Sequence, residues 1–337
     1  MTDRTKLIAD FLRGCGWGAA ARRFLAGDAS ARRYERLTLN GKTAVLMDAP
    51  PEEGDDTESF VRIDRHLLSI GLSAPQILAQ DIPNGLLLLE DLGDGIYARV
   101  IERDPACEEQ LYSVAVEVLA QIEGREPPHA LANLTAADWA DAAAIALDWY
   151  RFAITGERID TLPFREALTE TLLRFADGPR VMILRDYHAE NLLWLPDRQG
   201  PARVGLLDFQ LAQLGQPGYD LVSLLQDARR DTGPGLEEAM IRHYLAHTGR
   251  ASEGFGPAYA ALGAQRALRI LGIFARLSLV GGKPGYVDKI PRVWGQLQRN
   301  LLHPELATLA EICRATLPEP TVDRLERIRA QCGHHAP

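Results

Sequence analysis

The sequence predicts an α+β chain: a small β-rich part over residues 1–92 and a larger, mainly helical part over residues 93–337. Three observations predict it. Short apolar runs split by turn signals fill the first part, as half-buried strands require. Apolar stripes at a 3.6-residue period fill the second. A compact β-like stretch, Val181–Leu207, interrupts those helices and carries polar residues at its strand ends.

The elements follow in order. Thr2 can cap a first helix over residues 3–14. Arg22–Leu25, Tyr34–Leu39 and Thr43–Met47 read as strands, the last two joined by Asn40-Gly41, a strong hairpin signal. Phe60, Ile63, Leu67 and Ile70 form one helical stripe, ended at Gly71. Ile77–Ala79 and Leu86–Glu90 are strands split by Pro83-Asn84-Gly85. Later helices carry Leu111, Val114, Val118 and Ile122; begin at Thr135 with Asp138 reaching back; and run over Pro163–Phe175. The clearest late stripe is Ala267, Ile270, Leu271, Phe274 and Leu277. Between them Val181–Leu184, Leu192–Trp194 and Val204–Leu207 read as short strands.

Composition narrows the function classes. With 46% hydrophobic and 25% charged residues the chain can bury a large core. A net charge of −9 and no basic run argue against nucleic acid as a partner. Only four cations are lysines (Lys6, Lys42, Lys283 and Lys289), so phosphate contacts are expected from arginine. Cys15, Cys107, Cys313 and Cys332 show no metal-ligand spacing and read as reduced thiols. No apolar run has the roughly 20 residues that span a bilayer, so the expectation is a cytoplasmic protein with no membrane partner. Its oligomeric state stays open.

Three strings carry chemistry. Leu184-Arg185-Asp186-Tyr187-His188-Ala189-Glu190-Asn191-Leu192-Leu193 puts a carboxylate and an amide five residues apart. The carboxylate can take or orient the proton of an attacking hydroxyl, and the amide oxygen can hold a divalent ion that bridges phosphates. Alone, that spacing also fits a turn with two capping side chains. Val204-Gly205-Leu206-Leu207-Asp208-Phe209-Gln210 delivers a second carboxylate at a strand end, 22 residues after Asp186. Asp208 is a hard ligand for a hard ion, or a plain strand-end turn residue. Gly27-Asp28-Ala29-Ser30-Ala31-Arg32-Arg33-Tyr34 lies between the first two strands. Its backbone N–H groups and the Ser30 hydroxyl can donate to phosphate oxygens, and it also fits an ordinary hairpin loop.

Together these strings resemble the catalytic loop, metal-binding Asp-Phe-Gly and phosphate loop of protein kinases and of the aminoglycoside phosphotransferase/choline kinase-like family. The resemblance covers essentially the whole chain. It is strongest to the branch of anomeric (1-position) sugar kinases of cell-wall recycling, which act on N-acetylmuramate and N-acetylglucosamine. The shared strings are Gly27 to Tyr34, Leu46-Met47-Asp48-Ala49-Pro50, Leu89-Glu90-Asp91-Leu92-Gly93-Asp94, Leu184 to His188 and Leu271-Gly272-Ile273-Phe274-Ala275-Arg276. Two departures from kinases stand out: Gln210 replaces the motif glycine, and Met47 stands where the third strand carries lysine.

The resemblance implies a two-lobed protein-kinase-like fold, with residues 1–92 as the nucleotide-binding lobe and 93–337 as the helical lobe. It implies ATP and Mg²⁺, with a small sugar as acceptor. Asp186 would be the catalytic carboxylate, and His188 would touch the γ-phosphate. Asn191 and Asp208 would hold the metal. Ser30, Arg32 and Arg33 would face the phosphates, the two arginines replacing the lysine. Adenine would meet the backbone of Glu90, Asp91 and Leu92, with Leu193 as its floor. Trp149, Gln213, Gln265, Arg266 and Arg276 are acceptor-site candidates, and Asp220 would buttress the catalytic loop with Arg185. Each arginine also fits a solvated strand edge, Leu193 ordinary core, and His188 and the acceptor set a structural role. An aminoglycoside, choline or homoserine-like acceptor, or a non-catalytic nucleotide-binding module, remains open at this level.

Overall fold

Period-two alternation puts the first strands into one antiparallel sheet. The structure is a computed structural model and describes residues 4–26, 32–51 and 56–335. Its first elements are α1 (Arg4–Gly14), β1 (Ala21–Ala26), β2 (Arg33–Leu39), β3 (Lys42–Asp48), α2 (Thr57–Ser69), β4 (Ile77–Asp81) and β5 (Leu86–Glu90). The strands pair in the order β1-β2-β3-β5-β4. Asn40 and Gly41 make the tight β2–β3 turn, both with positive φ, and Leu39 faces Lys42. Ile8 and Leu12 of α1 pack onto Leu37, Ala44, Leu46, Leu86 and Leu88. The other alternation, Val45, Met47, Leu87 and Leu89, is also buried. Gly85 ends the β4–β5 turn at φ +65°, where a Cβ would lie 1.8 Å from the Ala49 carbonyl oxygen, so only glycine fits. The expected cap Thr2 lies outside the described residues.

Helical and short β elements follow: α3 (Tyr97–Arg103), α4 (Glu108–Glu123), α5 (Ala136–Ile145), a π-helical turn (Ala146–Arg151), α6 (Phe152–Thr155) and α7 (Leu162–Phe175). Then come β6 (Val181–Ile183), β7 (Leu192–Trp194), β8 (Val204–Leu206), β9 (Gln213–Gly215), α8 (Tyr219–Leu225), α9 (Leu236–Thr248), α10 (Phe255–Leu279), α11 (Ile290–Leu301), α12 (Ala307–Thr316) and α13 (Val322–Ala330). Thr135 and Asp138 form the expected capping box of α5. The expected β stretch is two separate ladders, β6 with β9 and β7 with β8.

The chain divides into two compact units, residues 1–130 with 184–212, and residues 131–183 with 213–337. This division differs from a break at residue 92, because residues 184–212 and α3–α4 cluster with the five-stranded sheet. Hydrogen bonds account for that clustering. Leu206 N donates to Ser73 O at 2.8 Å, Ser73 Oγ to Ala202 O at 2.6 Å, and Trp194 N to Gly95 O at 2.7 Å. In the second unit α10 packs on α5, α7 and α11. Gly272 of α10 allows a close approach there, since a Cβ would stand 2.4 Å from the Ile145 carbonyl at the start of the π-helical turn. Among the described residues no helix is long and apolar enough to cross a membrane.

Candidate active site

The β7–β8 ladder places the polar residues. Leu192 pairs with Leu206, and Leu207 N donates to Asn191 O at 3.0 Å. Asn191 just before β7 and Asp208 just beyond β8 therefore leave the mouth of the hairpin side by side. The loop before Asn191 closes on itself: Asn191 N donates to His188 O at 2.8 Å, and Asn191 Nδ2 donates to Asp186 O at 2.9 Å. Tyr187 anchors it from inside, its hydroxyl donating to Ala115 O of α4 at 2.8 Å, while Ala98 N donates to Ala189 O at 3.0 Å. Asp186, Asn191 and Asp208 are thereby gathered at one hairpin mouth within one unit.

Two backbone outliers flank the site. Arg185 has φ +73° and Asp208 φ +56°. Non-glycine residues in such sparsely populated regions cost on the order of 1–3 kcal/mol each and persist only where their surroundings over-determine them. Here the strain sits next to the two carboxylates.

The donors suit a hard cation. The Asn191 amide nitrogen is taken by the Asp186 carbonyl, which leaves the amide oxygen for a metal. Asp208 keeps half of its side chain exposed. An amide oxygen beside a carboxylate is an all-oxygen set of the kind Mg²⁺ uses. Gln210, in the place of the motif glycine, donates from Nε2 to Asp208 Oδ1 at 2.6 Å. Phe209 is buried against Phe60 of α2, ring centroids 4.9 Å apart.

The expected phosphate residues separate. Arg32 is buried, with Nη1 3.9 Å from Asp208 Oδ1. Arg33 is exposed in β2, opposite Asp48, and shares the alternation of Leu37, toward α1 rather than toward Asp208. Ser30 lies outside the described residues. Met47 is fully buried on β3. His188 is also buried, its Nε2 3.4 Å from Asn191 Nδ2.

Beyond β5 the side chains are engaged in structure. Glu90 accepts from Arg198 Nη2 at 2.7 Å and from Gln76 N at 3.2 Å. Arg36 of β2 contacts Asp91 through Nε at 2.8 Å and Asp94 through Nη1 at 2.9 Å, and donates to Gly93 O at 3.3 Å. Leu92 packs near Gly205, and Leu193 is buried in β7. Arg36 is absent from the sequence-based candidates. Its signal was a cation on the inward alternation of β2, with two acids following the β5 strand.

In the second unit the acceptor candidates scatter. Trp149 is half-buried in the π-helical turn, with Arg276 Cζ 6.0 Å from its ring centroid. Gln213 is buried in β9 opposite Ile183. Gln265 donates to Trp139 O at 2.9 Å, and Arg266 to Gln226 O at 3.0 Å and Ser223 Oγ at 2.9 Å. Asp220 is buried in the first turn of α8, and Arg185, in the first unit, is half-buried in the loop before Asn191.

A β-sheet carrying a catalytic-type loop, a metal-type hairpin mouth and a helical remainder define a phosphotransferase with a protein-kinase-like fold. The sequence matches the phosphotransferase enzyme family over residues 21–255, and the chain belongs to that family. It is 38% identical to an N-acetylmuramate/N-acetylglucosamine kinase of Caulobacter vibrioides, over 91% of this chain and 95% of the relative. It is 33% identical to a kinase of the same name from Pseudomonas aeruginosa, over 90% of this chain and 91% of the relative. Among solved structures, choline kinase LicA from Streptococcus pneumoniae superimposes with a TM-score of 0.60 at 16% identity, over 88% of this chain and 99% of that one. A microcompartment-associated aminopropanol kinase superimposes at 0.62 and 14% identity, over 90% and 99%. These two share the fold. The chain is a kinase, and so a user of nucleotide.

Proposed function

We propose that this kinase transfers the γ-phosphoryl group of ATP, with Mg²⁺, to the anomeric hydroxyl of N-acetylmuramate, N-acetylglucosamine or both. The gathering of Asp186, Asn191 and Asp208 at one hairpin mouth carries the chemistry, and likeness to amino-sugar kinases along nearly the full length supports the acceptor. The acceptor oxygen bonds to the γ-phosphorus as the bond to the bridging oxygen breaks, and ADP departs. The hydroxyl proton passes to the Asp186 carboxylate. Asn191 and Asp208 would hold Mg²⁺, which would neutralise charge on the phosphates. Arg32 adds positive charge beside Asp208, and His188 steadies Asn191. Most of the rate gain comes from position and electrostatics. Residues 1–92 supply the nucleotide lobe, with adenine on the backbone at Glu90–Leu92 above Leu193, and residues 93–337 supply the catalytic loop and acceptor site. No partner beyond substrate and nucleotide is needed, and a cytoplasmic location fits a chain that meets free ATP.

The test is ADP release with each sugar, followed by phosphorus NMR of the product. A phosphate on the anomeric oxygen is the expected result. A phosphate on another oxygen, or faster turnover of kanamycin or choline, would overturn the acceptor.

A further inference from the structure

The hairpin mouth holds one side chain that the reaction above leaves unused. Gln210 stands where the motif has glycine, two residues after Asp208. Its Nε2 donates to Asp208 Oδ1 at 2.6 Å, and Arg32 Nη1 lies 3.9 Å from that same oxygen. Among the described residues no hydrogen bond or ion pair falls on Oδ2. The carboxylate is thereby divided: Oδ1 is capped, and Oδ2 is left open on a side chain that is half exposed. All these groups belong to one unit.

The far end of the glutamine shows that folding alone does not call for it. Gln210 Oε1 is buried and accepts no hydrogen bond among the described residues. A buried acceptor left unmet costs stability, and an apolar side chain of similar length would avoid that cost. The backbone on both sides of Asp208 is held by other means. Leu207 N donates to Asn191 O at 3.0 Å, Ala212 N donates to Phe209 O at 2.9 Å, and the Phe209 ring packs on Phe60 at 4.9 Å. What the glutamine adds is a fixed carboxylate. Its orientation is unambiguous, since the amide turned over would set Oε1 against Oδ1, acceptor against acceptor.

Unequal oxygens matter to a divalent ion. Ca²⁺ gathers about six to eight oxygens and takes carboxylates through one oxygen or both, whereas Mg²⁺ demands a tight octahedron and keeps much of its water. A cation seated on both oxygens of Asp208 would displace the Gln210 N–H and meet the like charge of Arg32 on the Oδ1 side. An ion on Oδ2 alone meets neither. The arrangement permits the one-oxygen mode that suits Mg²⁺ and withholds the two-oxygen mode that favours Ca²⁺.

We propose that Gln210 is a positioning residue that makes Asp208 a one-oxygen ligand, through Oδ2, and so selects Mg²⁺ over Ca²⁺. The inference rests on the metal-holding role given to Asp208 above and adds the residue that sets its selectivity.

The experiment is calorimetric titration of ADP into the full chain with excess Mg²⁺, with excess Ca²⁺, or with a chelator alone. It compares the unaltered chain with Gln210→Met and Gln210→Ala, both of which lose the donor while the first keeps most of the bulk. The readout is the ADP dissociation constant in Ca²⁺ divided by that in Mg²⁺. That ratio should fall at least about fivefold in both variants, as for loss of one charge-assisted hydrogen bond. ADP binding in chelator should stay within about twofold, and the urea midpoint of Gln210→Met should not drop. A ratio unchanged within about twofold overturns the proposal. A fall in Gln210→Ala alone overturns it too, because the ratio then follows bulk and not the donor. Should Gln210→Met not fold, Gln210→Ala decides. If neither ion tightens ADP on the unaltered chain, the metal role of Asp208 fails and this inference with it. Tightening by Mg²⁺ with an unmoved ratio defeats only the assignment of Gln210.

Discussion

The hairpin mouth and the α8 turn, residues 226–231, treat their carboxylates in opposite ways. At the hairpin mouth Asp186 is half-buried and Asp208 half-exposed, and the strain lies in the backbone at Arg185 and Asp208. At the α8 turn Asp227 is fully buried, and the backbone is held at three successive carbonyls. The difference follows from what each group must do. A carboxylate that takes a proton, or changes ligands, needs solvent and room. A carboxylate that only holds a turn needs a fixed position. Substitutions should therefore separate chemistry from stability.

The largest effect is expected at Asp186. Asp186→Asn should lower kcat by about 10²–10⁴, the usual share of a general base, while the urea midpoint stays put. A large loss of stability would mean that the loop is held together through this side chain. The converse should hold at Arg266. Arg266→Met removes the buried donor to Gln226 O and Ser223 Oγ and should cost about 2–4 kcal/mol of stability, read by urea denaturation. ADP affinity should be unchanged. Loss of activity without loss of stability would break the contrast between the two regions.

The two regions were not equally legible. The hairpin mouth is local: Asp186, Asn191 and Asp208 fall within 23 residues, on strands whose apolar pattern is plain. The five-stranded sheet was legible for the same reason, since Asn40-Gly41 and Pro83-Asn84-Gly85 announce neighbouring strands. The α8 turn is assembled from residues 226–231, 266, 292 and 296, and nothing in the spacing of those side chains announces the assembly. Arg36 shows the same limit. Its partners Asp91 and Asp94 lie more than 50 residues away, so it reads as one more strand arginine until β2 is placed. The π-helical turn at Ala146–Arg151 was missed because its residues fit an ordinary helix equally well. The β6–β9 pairing was missed because β9 is three residues long and offers too little alternation to register.

Asp64 supplies a third way to bury a carboxylate. It is fully buried in α2, and neither oxygen has a hydrogen-bond partner among the described residues. Burial pushes its pKa up to about 7; the Arg65 charge opposes that rise and the Glu90 charge adds to it. An ordinary aspartate titrates near 4. Between those values the folded chain binds the proton more tightly than the unfolded chain does, so stability falls as pH rises from about 4 to about 7 and levels off above. Asp64→Asn should remove that slope, gaining on the order of 2–4 kcal/mol at pH 8 relative to its effect at pH 4. Paired urea titrations at the two pH values measure it. A constant difference between the two proteins would show that Asp64 finds a partner, as Asp227 does for one oxygen.

The smallest expected effect separates two neighbouring arginines. Arg32 is buried and stands 3.9 Å from Asp208 Oδ1, while Arg33 is exposed on the alternation that faces α1. With Met47 in the strand position that kinases give to lysine, the proposed function assigns the charge near the phosphates to Arg32. Arg32→Ala should lower kcat about tenfold or more, roughly 1.4 kcal/mol of the barrier, and raise KM for ATP. Arg33→Ala should change both by less than about twofold, as for an exposed charge. Steady-state kinetics in ATP settles the order. If Arg33 proves the more costly loss, the alternation of β2 is not what selects the cation, and Arg32 serves only to hold Asp208 in its left-handed conformation.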